Sequence, residues 1–158
     1  MNERGVSPVI ATVLLIGIVI ALGVVVFLWF RGFTQEAVTK FNGENIQLVC
    51  SNVQFEASYS SDGSLSVSNT GNVPIYNMNV QIDNKDGTYT TQQINNLMNN
   101  WPNSGINQGG SFSGNAANVI SSSTSDLVLI PILRGTTSSG QQQSYTCGSQ
   151  YGYKISVS

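Results

Sequence analysis

Residues 6–30 form a nearly continuous apolar run that contains no charged side chain. The apolar positions go all the way round a helix instead of following one face, so every face of this helix must meet lipid or protein. At about 1.5 Å per residue such a helix is roughly 37 Å long, and a hydrocarbon core is about 30 Å thick. The pattern therefore predicts an N-terminal helix that spans a membrane or packs on all sides.

After residue 30 the helical period continues, but only one face remains apolar. The apolar positions on that face are Phe33, Ala37, Val38 and Phe41. Asn42-Gly43 follows, and this pair is typical of a helix C-terminus. We therefore expect one helix over residues 6–43, apolar at first and amphipathic later.

From residue 44 onwards the apolar positions recur with the period of two that is typical of β-strands. The alternation is clearest over residues 64–68, 76–83 and 151–158, and turn-forming Asn, Asp and Gly residues lie between such runs. No helical period appears in this part of the chain. The pattern predicts an all-β antiparallel sandwich over residues 44–158.

Two further segments of this region are less regular. Residues 127–133 are continuously apolar, which is typical of a strand covered on both faces, and Pro131 predicts an edge or a bulge there. Residues 46–59 also read as strand, with a break in the alternation near residues 50–52.

Composition narrows the range of functions. Only 9% of the chain is charged, the net charge is -2, and the six basic residues are scattered, so nucleic acid is not an expected partner. The chain has no His, which removes the commonest general base, and its eight carboxylates form no pair at a diagnostic spacing. We expect no catalytic, metal-binding or cofactor-binding residues.

The two cysteines, Cys50 and Cys147, each lie in an apparent strand near one end of the predicted β-domain. In an oxidising exterior their simplest state is a disulfide. Two buried free thiols and a metal site are the alternatives, and the absence of His disfavours the metal site. The expectation is a Cys50–Cys147 bridge.

Trp101 lies in the longest turn-rich segment, residues 95–110. An exposed Trp on such a loop is able to anchor a partner or a neighbouring subunit. The alternative is a Trp that folds back over an edge of the core. We mark Trp101 as a candidate surface contact.

A secretory signal peptide is one interpretation of the N-terminal run. Such signals have an apolar region of about 7–15 residues, followed by a small-residue cleavage site. Here the run is longer, and it ends in Leu28-Trp29-Phe30-Arg31, which offers no such site. The pattern favours a helix that stays on the mature protein.

The start of the chain instead resembles the precursors of archaeal type IV pilins. Arg4-Gly5 precedes the run and Val6-Ser7-Pro8-Val9-Ile10 opens it, as in the class III signal that a prepilin peptidase cuts on the cytoplasmic side. The resemblance covers the helix, about the first quarter of the chain, and implies cleavage between Gly5 and Val6. Ala11 departs from it, since many members of the family have Gly there.

What the resemblance implies is an α+β, pilin-like fold in three parts. Residues 1–5 are the signal, residues 6–43 the helix, and residues 44–158 an extracellular β-sandwich, which residues 65–80 make similar to immunoglobulin-like domains of archaeal surface proteins. Membrane insertion and polymerisation are assigned to the helix, at Pro8, Val9, Ile10, Val13, Leu14, Gly17, Ala21, Gly23 and Phe27.

The implied function is that of a structural subunit of an archaeal adhesion pilus. Its implied partners are further copies of itself, the prepilin peptidase, the pilus assembly machinery and, before assembly, the membrane. Two alternatives stay open: a single-span surface protein that displays an immunoglobulin-like binding domain, and an archaellin-type filament subunit.

Overall fold

The computed structural model describes residues 8–33, 39–40 and 44–157, which fall into two compact units, Met1–Ala37 and Val38–Ser158. The first unit contains helix α1, Pro8–Phe33, which begins with a proline whose missing N–H costs nothing in the first turn. The expected cleavage residues Arg4, Gly5 and Val6 lie outside the described residues.

The expected continuation of the helix as far as Phe41 is wrong. Thr39–Lys40 form a short strand, β1, which pairs antiparallel with β2, Glu44–Asn45. Thr39 also lies opposite Thr136 in the main sheet. Strand pairing satisfies the backbone of Thr39–Lys40 and overrides a weak amphipathic helical pattern, and Asn-Gly is favoured in hairpin turns as well as at helix ends.

Two antiparallel sheets form the second unit, and they face each other in a sandwich-like arrangement. The smaller sheet has the order β3-β4-β7, with β3 Glu56–Tyr59, β4 Ser64–Ser68 and β7 Ser111–Asn115. The larger, seven-stranded sheet adds to β1 and β2 the strands β5 Asn77–Asn84, β6 Tyr89–Gln93, β8 Thr124–Thr136, β9 Gln142–Thr146 and β10 Tyr153–Ser156.

The main core lies between the two sheets. Leu65 and Val67 point inward from β4, and Met78, Val80 and Leu129 point inward from β5 and β8, all with 1% exposure or less. The polar residues between them face outward, which is the alternation that the sequence predicted for β4 and β5.

Strand β8 runs through the middle of the larger sheet. It pairs with β5 and β1 along one side and with β10 and β9 along the other. Its two faces are both buried, with Leu127 and Leu129 on one and Ile130 and Ile132 on the other. The prediction of a strand covered on both faces is confirmed.

The residue type of Pro131 suggested an edge of the sheet, but Pro131 lies inside the sheet. Its carbonyl accepts a hydrogen bond from the N–H of Cys147 at 3.0 Å, on the side of β8 that faces β9 and β10. The nitrogen and carbonyl of one residue in an antiparallel strand face the same side, so the proline nitrogen also points there. Pro131 lies between the part of β8 that pairs with β10 and the part that pairs with β9. No backbone N–H is needed at this position.

Residues 46–52 are helical instead of extended. Helix α2, Ile46–Val49, is followed by a 3₁₀ turn, Cys50–Asn52, and the carboxamide of Asn45 caps α2 by accepting from Gln47 N at 2.9 Å. A second 3₁₀ turn, Ser149–Tyr151, replaces the start of the expected C-terminal strand. A further short helix, α3, covers Ile94–Leu97.

One buried side chain ties the loops of the domain together. Asn69 has 0% exposure, and its amide donates to Val73 O at 2.9 Å and to Ile106 O at 3.3 Å. Its side-chain oxygen accepts from Gly71 N at 3.1 Å. Gly71 N also donates to Gln54 O at 2.8 Å and Ile106 O also accepts from Ile75 N at 3.0 Å, so the carbonyl of Val73 is the group that depends most on Asn69.

We expect Asn69→Ala to lower the free energy of unfolding by about 1–3 kcal/mol, because it removes three hydrogen bonds and leaves the carbonyl of the buried Val73 without its partner. The measurement is urea denaturation of the full chain in detergent. Asn99→Ala, at an exposed position, is the matched control and should change stability by less than about 0.5 kcal/mol. Equal effects of the two substitutions would contradict this role of Asn69.

Candidate functional site

The outside of α1 is an exposed apolar surface. The large apolar side chains between Val9 and Leu28 are 53% to 68% exposed, and none of them packs into a core. The segment Pro8–Leu28 has the length and composition of a membrane span. A signal sequence near an N-terminus meets the same criterion, so the helix is either an anchor or a signal by this test alone.

The only polar side chain of that segment is satisfied within the helix. The hydroxyl of Thr12 donates to the carbonyl oxygen of Val9 at 2.9 Å. Neither lipid nor a neighbouring helix therefore has to supply a hydrogen-bond partner. The residues predicted for membrane insertion and polymerisation all lie on this one helix: Pro8, Val9, Ile10, Val13, Leu14, Gly17, Ala21, Gly23 and Phe27.

The small residues of α1 do not form a single strip. Gly17 and Ala21 are four residues apart and share a face, whereas Gly23 lies about 240° round the helix from Gly17 at 3.6 residues per turn. A Cβ atom added to Gly17 or to Gly23 would meet nothing within 4 Å. The face of Gly17 and Ala21 is therefore open to the close approach of another helix.

Cys50 and Cys147 form the expected disulfide. Neither lies in a strand, as they were expected to: Cys50 begins the 3₁₀ turn after α2, and Cys147 follows β9 directly. Together with Ile46, Val49 and Leu133 they form a second, smaller core cluster. The bridge therefore joins the segment around α2 to the end of β9, beside β8 in the larger sheet, and such bridges are typical of oxidising compartments.

Trp101 is not a surface contact. It is 7% exposed, its ring packs edge-on against Phe112 at 4.8 Å between centroids, and its indole N–H donates to Tyr76 O at 3.1 Å. The loop after it closes against the segment that precedes β5, through a reciprocal pair of backbone hydrogen bonds between Ile75 and Ile106. The sequence showed a Trp in a polar loop and not this closure.

Charged groups in the described part of the β-domain are few and lie on its surface. Arg134 stacks on the ring of Tyr76, with 3.5 Å between the guanidinium carbon and the ring centroid. Lys154 pairs with Asp126 at 3.2 Å. The pKa of Asp126 is lowered from its ordinary value, mainly by the hydrogen bond from the Ser156 hydroxyl and to a smaller extent by Lys154.

An open groove of about 430 Å³ crosses the smaller sheet, lined by serines such as Ser66 and Ser113 and by Glu56 and Tyr153. Within residues 8–33, 39–40 and 44–157, no three His, Cys, Asp or Glu side chains are grouped as metal ligands.

Comparison with known proteins adds little. The chain matches no protein-family model and no curated protein. It has a partial likeness to the X-ray structure of a Northeast Structural Genomics Consortium target, with 10% sequence identity and a TM-score of 0.33. That likeness covers 69% of this chain and 89% of the other, and a likeness this weak identifies neither a family nor a function.

We expect the double variant Cys50→Ala, Cys147→Ala to lose about 2–5 kcal/mol of unfolding free energy, because the bridge closes a loop of 97 residues. The measurement is urea denaturation of the oxidised protein and of the variant. Wild-type protein reduced with dithiothreitol should unfold like the variant. A variant as stable as oxidised wild type would show that the core cluster, and not the bridge, holds this segment.

Proposed function

We propose that this protein is a pilin, a structural subunit of an archaeal type IV-like adhesion pilus. A prepilin peptidase cuts the chain after Gly5, and the mature chain begins at Val6. The apolar helix holds the subunit in the membrane until the assembly machinery extracts it. It then packs against the helices of other copies in the filament core, and the β-domain forms the outer coat on the cell surface.

The observation that carries this proposal is the exposure of α1. Large apolar side chains on all its faces are more than half exposed, so the helix needs an apolar environment that the chain itself does not provide. At about 25 cal/mol per Å² of buried apolar surface, covering such a helix is strongly favourable. A bilayer provides that cover before assembly, and neighbouring helices provide it afterwards.

The β-domain fits an exterior position. Its disulfide is of the kind that persists outside the cytoplasm, and its surface is neutral and polar, rich in Ser, Thr, Asn and Gln. The proposal assigns no catalytic residue, no cofactor and no nucleic-acid partner to the chain. Its partners are its own copies, the peptidase, the assembly machinery and the membrane.

We also propose that the sandwich has an immunoglobulin-like topology. In that fold strands A, B and E lie in one sheet and C, F and G in the other, and variable-type domains add C′ beside C. Strands β3, β4 and β7 take the first set of positions, and β5, β6 and β8 take C, C′ and F. The departure is at G, where two short strands, β10 and β9, follow each other along β8.

A permanent anchor is the second candidate, because a bilayer covers α1 as well as a filament core does. In that case the protein is a single-span surface protein displaying its β-domain. The two candidates differ in what touches the helix: lipid tails adapt to any apolar outline, whereas helices packed in a filament require a specific one.

We expect Gly17→Leu to abolish assembly into filaments while leaving membrane insertion intact. The added side chain keeps the helix apolar but fills the open face of Gly17 and Ala21, where close approach of a second helix requires a small residue. The measurement is the amount of protein in material sheared from the cell surface, relative to the amount in membranes.

The matched control is Gly23→Leu, which makes the same chemical change on a different face of α1. We expect this variant to assemble closer to the wild-type level. If Gly17→Leu assembles as well as wild type, the Gly17–Ala21 face is not a packing surface. If wild-type protein itself stays in membranes, the permanent anchor is the correct reading.

A further inference from the structure

The outer strands of the two sheets differ in how their free edges are protected. Natural proteins guard such edges with charged residues, proline or covering side chains. Strands β2, β3 and β10 each carry a charge, at Glu44, Glu56 and Lys154. The edge of β7 is covered by Asn100, whose amide donates to the carbonyl of Ser113 at 3.1 Å.

Two edges of the described β-domain have no such guard, and both belong to the larger sheet. Strand β6 reads Tyr-Thr-Thr-Gln-Gln and β9 reads Gln-Gln-Ser-Tyr-Thr, so neither contains a charged residue or a proline. All five side chains of β6 and four of the five in β9 are exposed. The two strands lie at opposite edges, with β5 and β8 between them.

The free edge of β6 presents an ordered row of backbone groups. Asn84 N donates to Thr88 O at 2.8 Å, so the backbone groups of Thr88 face β5. Because the direction alternates along an antiparallel strand, those of Thr90 and Gln92 also face β5. The N–H and C=O groups that face away belong to three residues: Tyr89, Thr91 and Gln93.

The free edge of β9 presents a matching row. Cys147 N donates to Pro131 O at 3.0 Å, so its backbone groups face β8, and by alternation so do those of Tyr145 and Gln143. The groups that face away belong to three residues: Gln142, Ser144 and Thr146. Each edge thus offers three outward donors and three outward acceptors over five residues.

We propose that β6 of one copy pairs antiparallel with β9 of the next copy, with Thr91 opposite Ser144. The inference rests on the proposed function in one respect: copies of the protein must be held side by side. A bilayer and a filament core both meet this condition. The contact joins two different edges, so the first copy keeps a free β9 and the second copy keeps a free β6 for further neighbours.

Strand direction favours this head-to-tail pairing. Strands β9, β8, β5 and β6 alternate in direction across the sheet, so a second copy in the same orientation brings its β9 antiparallel to the first copy's β6. All copies enter a membrane or filament with one polarity, and a shift without inversion preserves it. Pairing of β6 with another β6 would end at a dimer.

The register also implies a stagger between neighbours. Thr91 pairs with Gln81 of β5, which in turn pairs with Val128 of β8. Ser144 pairs directly with Arg134 of β8. The difference of six positions along β8 corresponds to about 20 Å at roughly 3.4 Å per residue. Neighbouring domains are therefore offset along the strands and form a stepped array.

Such a contact is small. A five-residue strand pair lies below the roughly 1,200 Å² of a stable independent interface, so it depends on the high effective concentration of copies held by their helices. Polar, uncharged side chains suit this use, because they leave the edge soluble in the single copy and cost little desolvation when it pairs.

The test is cysteine cross-linking of the full chain on intact cells, with the double variant Thr91→Cys, Ser144→Cys. Opposite residues of a hydrogen-bonded antiparallel pair have Cα atoms about 5.5 Å apart, which suits a disulfide. Within one copy the two positions are separated by three strand spacings, at least about 14 Å, so no internal bridge competes. The native cysteines are already paired and buried.

We expect a ladder of dimers, trimers and higher oligomers on a non-reducing gel, which collapses to monomer on reduction. The matched control is Thr90→Cys with Ser144→Cys, since the side chain of Thr90 points to the other face of the same strand; it should give no ladder. Monomer alone from the double variant would overturn the proposal. Dimers from Thr91→Cys by itself would overturn it as well, because they would show β6 pairing with β6.

Fractionation of the same cells separates this inference from the proposed function. A ladder in membranes with no protein in the sheared material would support the strand pairing and contradict the pilin. Abundant sheared filaments that yield no ladder would support the pilin and contradict the strand pairing.

Discussion

Between Pro8 and Leu28 the chain carries one polar side chain, Thr12, and that hydroxyl is bonded to its own helix. The other side chains of this segment lie open on every face. Water cannot solvate such a helix at tolerable cost, so its surroundings must be lipid or protein. The whole molecule must therefore be held by a membrane or by an assembly. Because the helix makes no specific polar contacts with its surroundings, it is able to exchange lipid for protein.

The β-domain is a separate compact unit, fastened by the Cys50–Cys147 disulfide. Strand β8 organises it by pairing along both of its sides, and both of its faces are buried. The disulfide fastens the entering segment, α2 and its 3₁₀ turn, to the end of β9, beside β8.

The sequence predicted the elements whose patterns have one simple cause. The apolar helix, the alternating strands β4 and β5, the buried β8 and the disulfide all follow from burial or from cysteine pairing. It missed β6 and β9, because strands exposed on both faces have no period of two to detect. The end of the helix before Thr39–Lys40 and the choice between the two readings of Trp101 share another cause: both depend on contacts with distant residues, Thr136 in one case and Phe112 and Tyr76 in the other.

The central claim is that the helix is processed at its start and then built into a filament. The most direct measurement is the mass-spectrometric N-terminus of the protein in filaments sheared from the cell surface. The account predicts a mature chain that begins at Val6, recovered in a high-molecular-weight fraction. An intact Met1 end, with the protein found in membranes and absent from the sheared fraction, would contradict it.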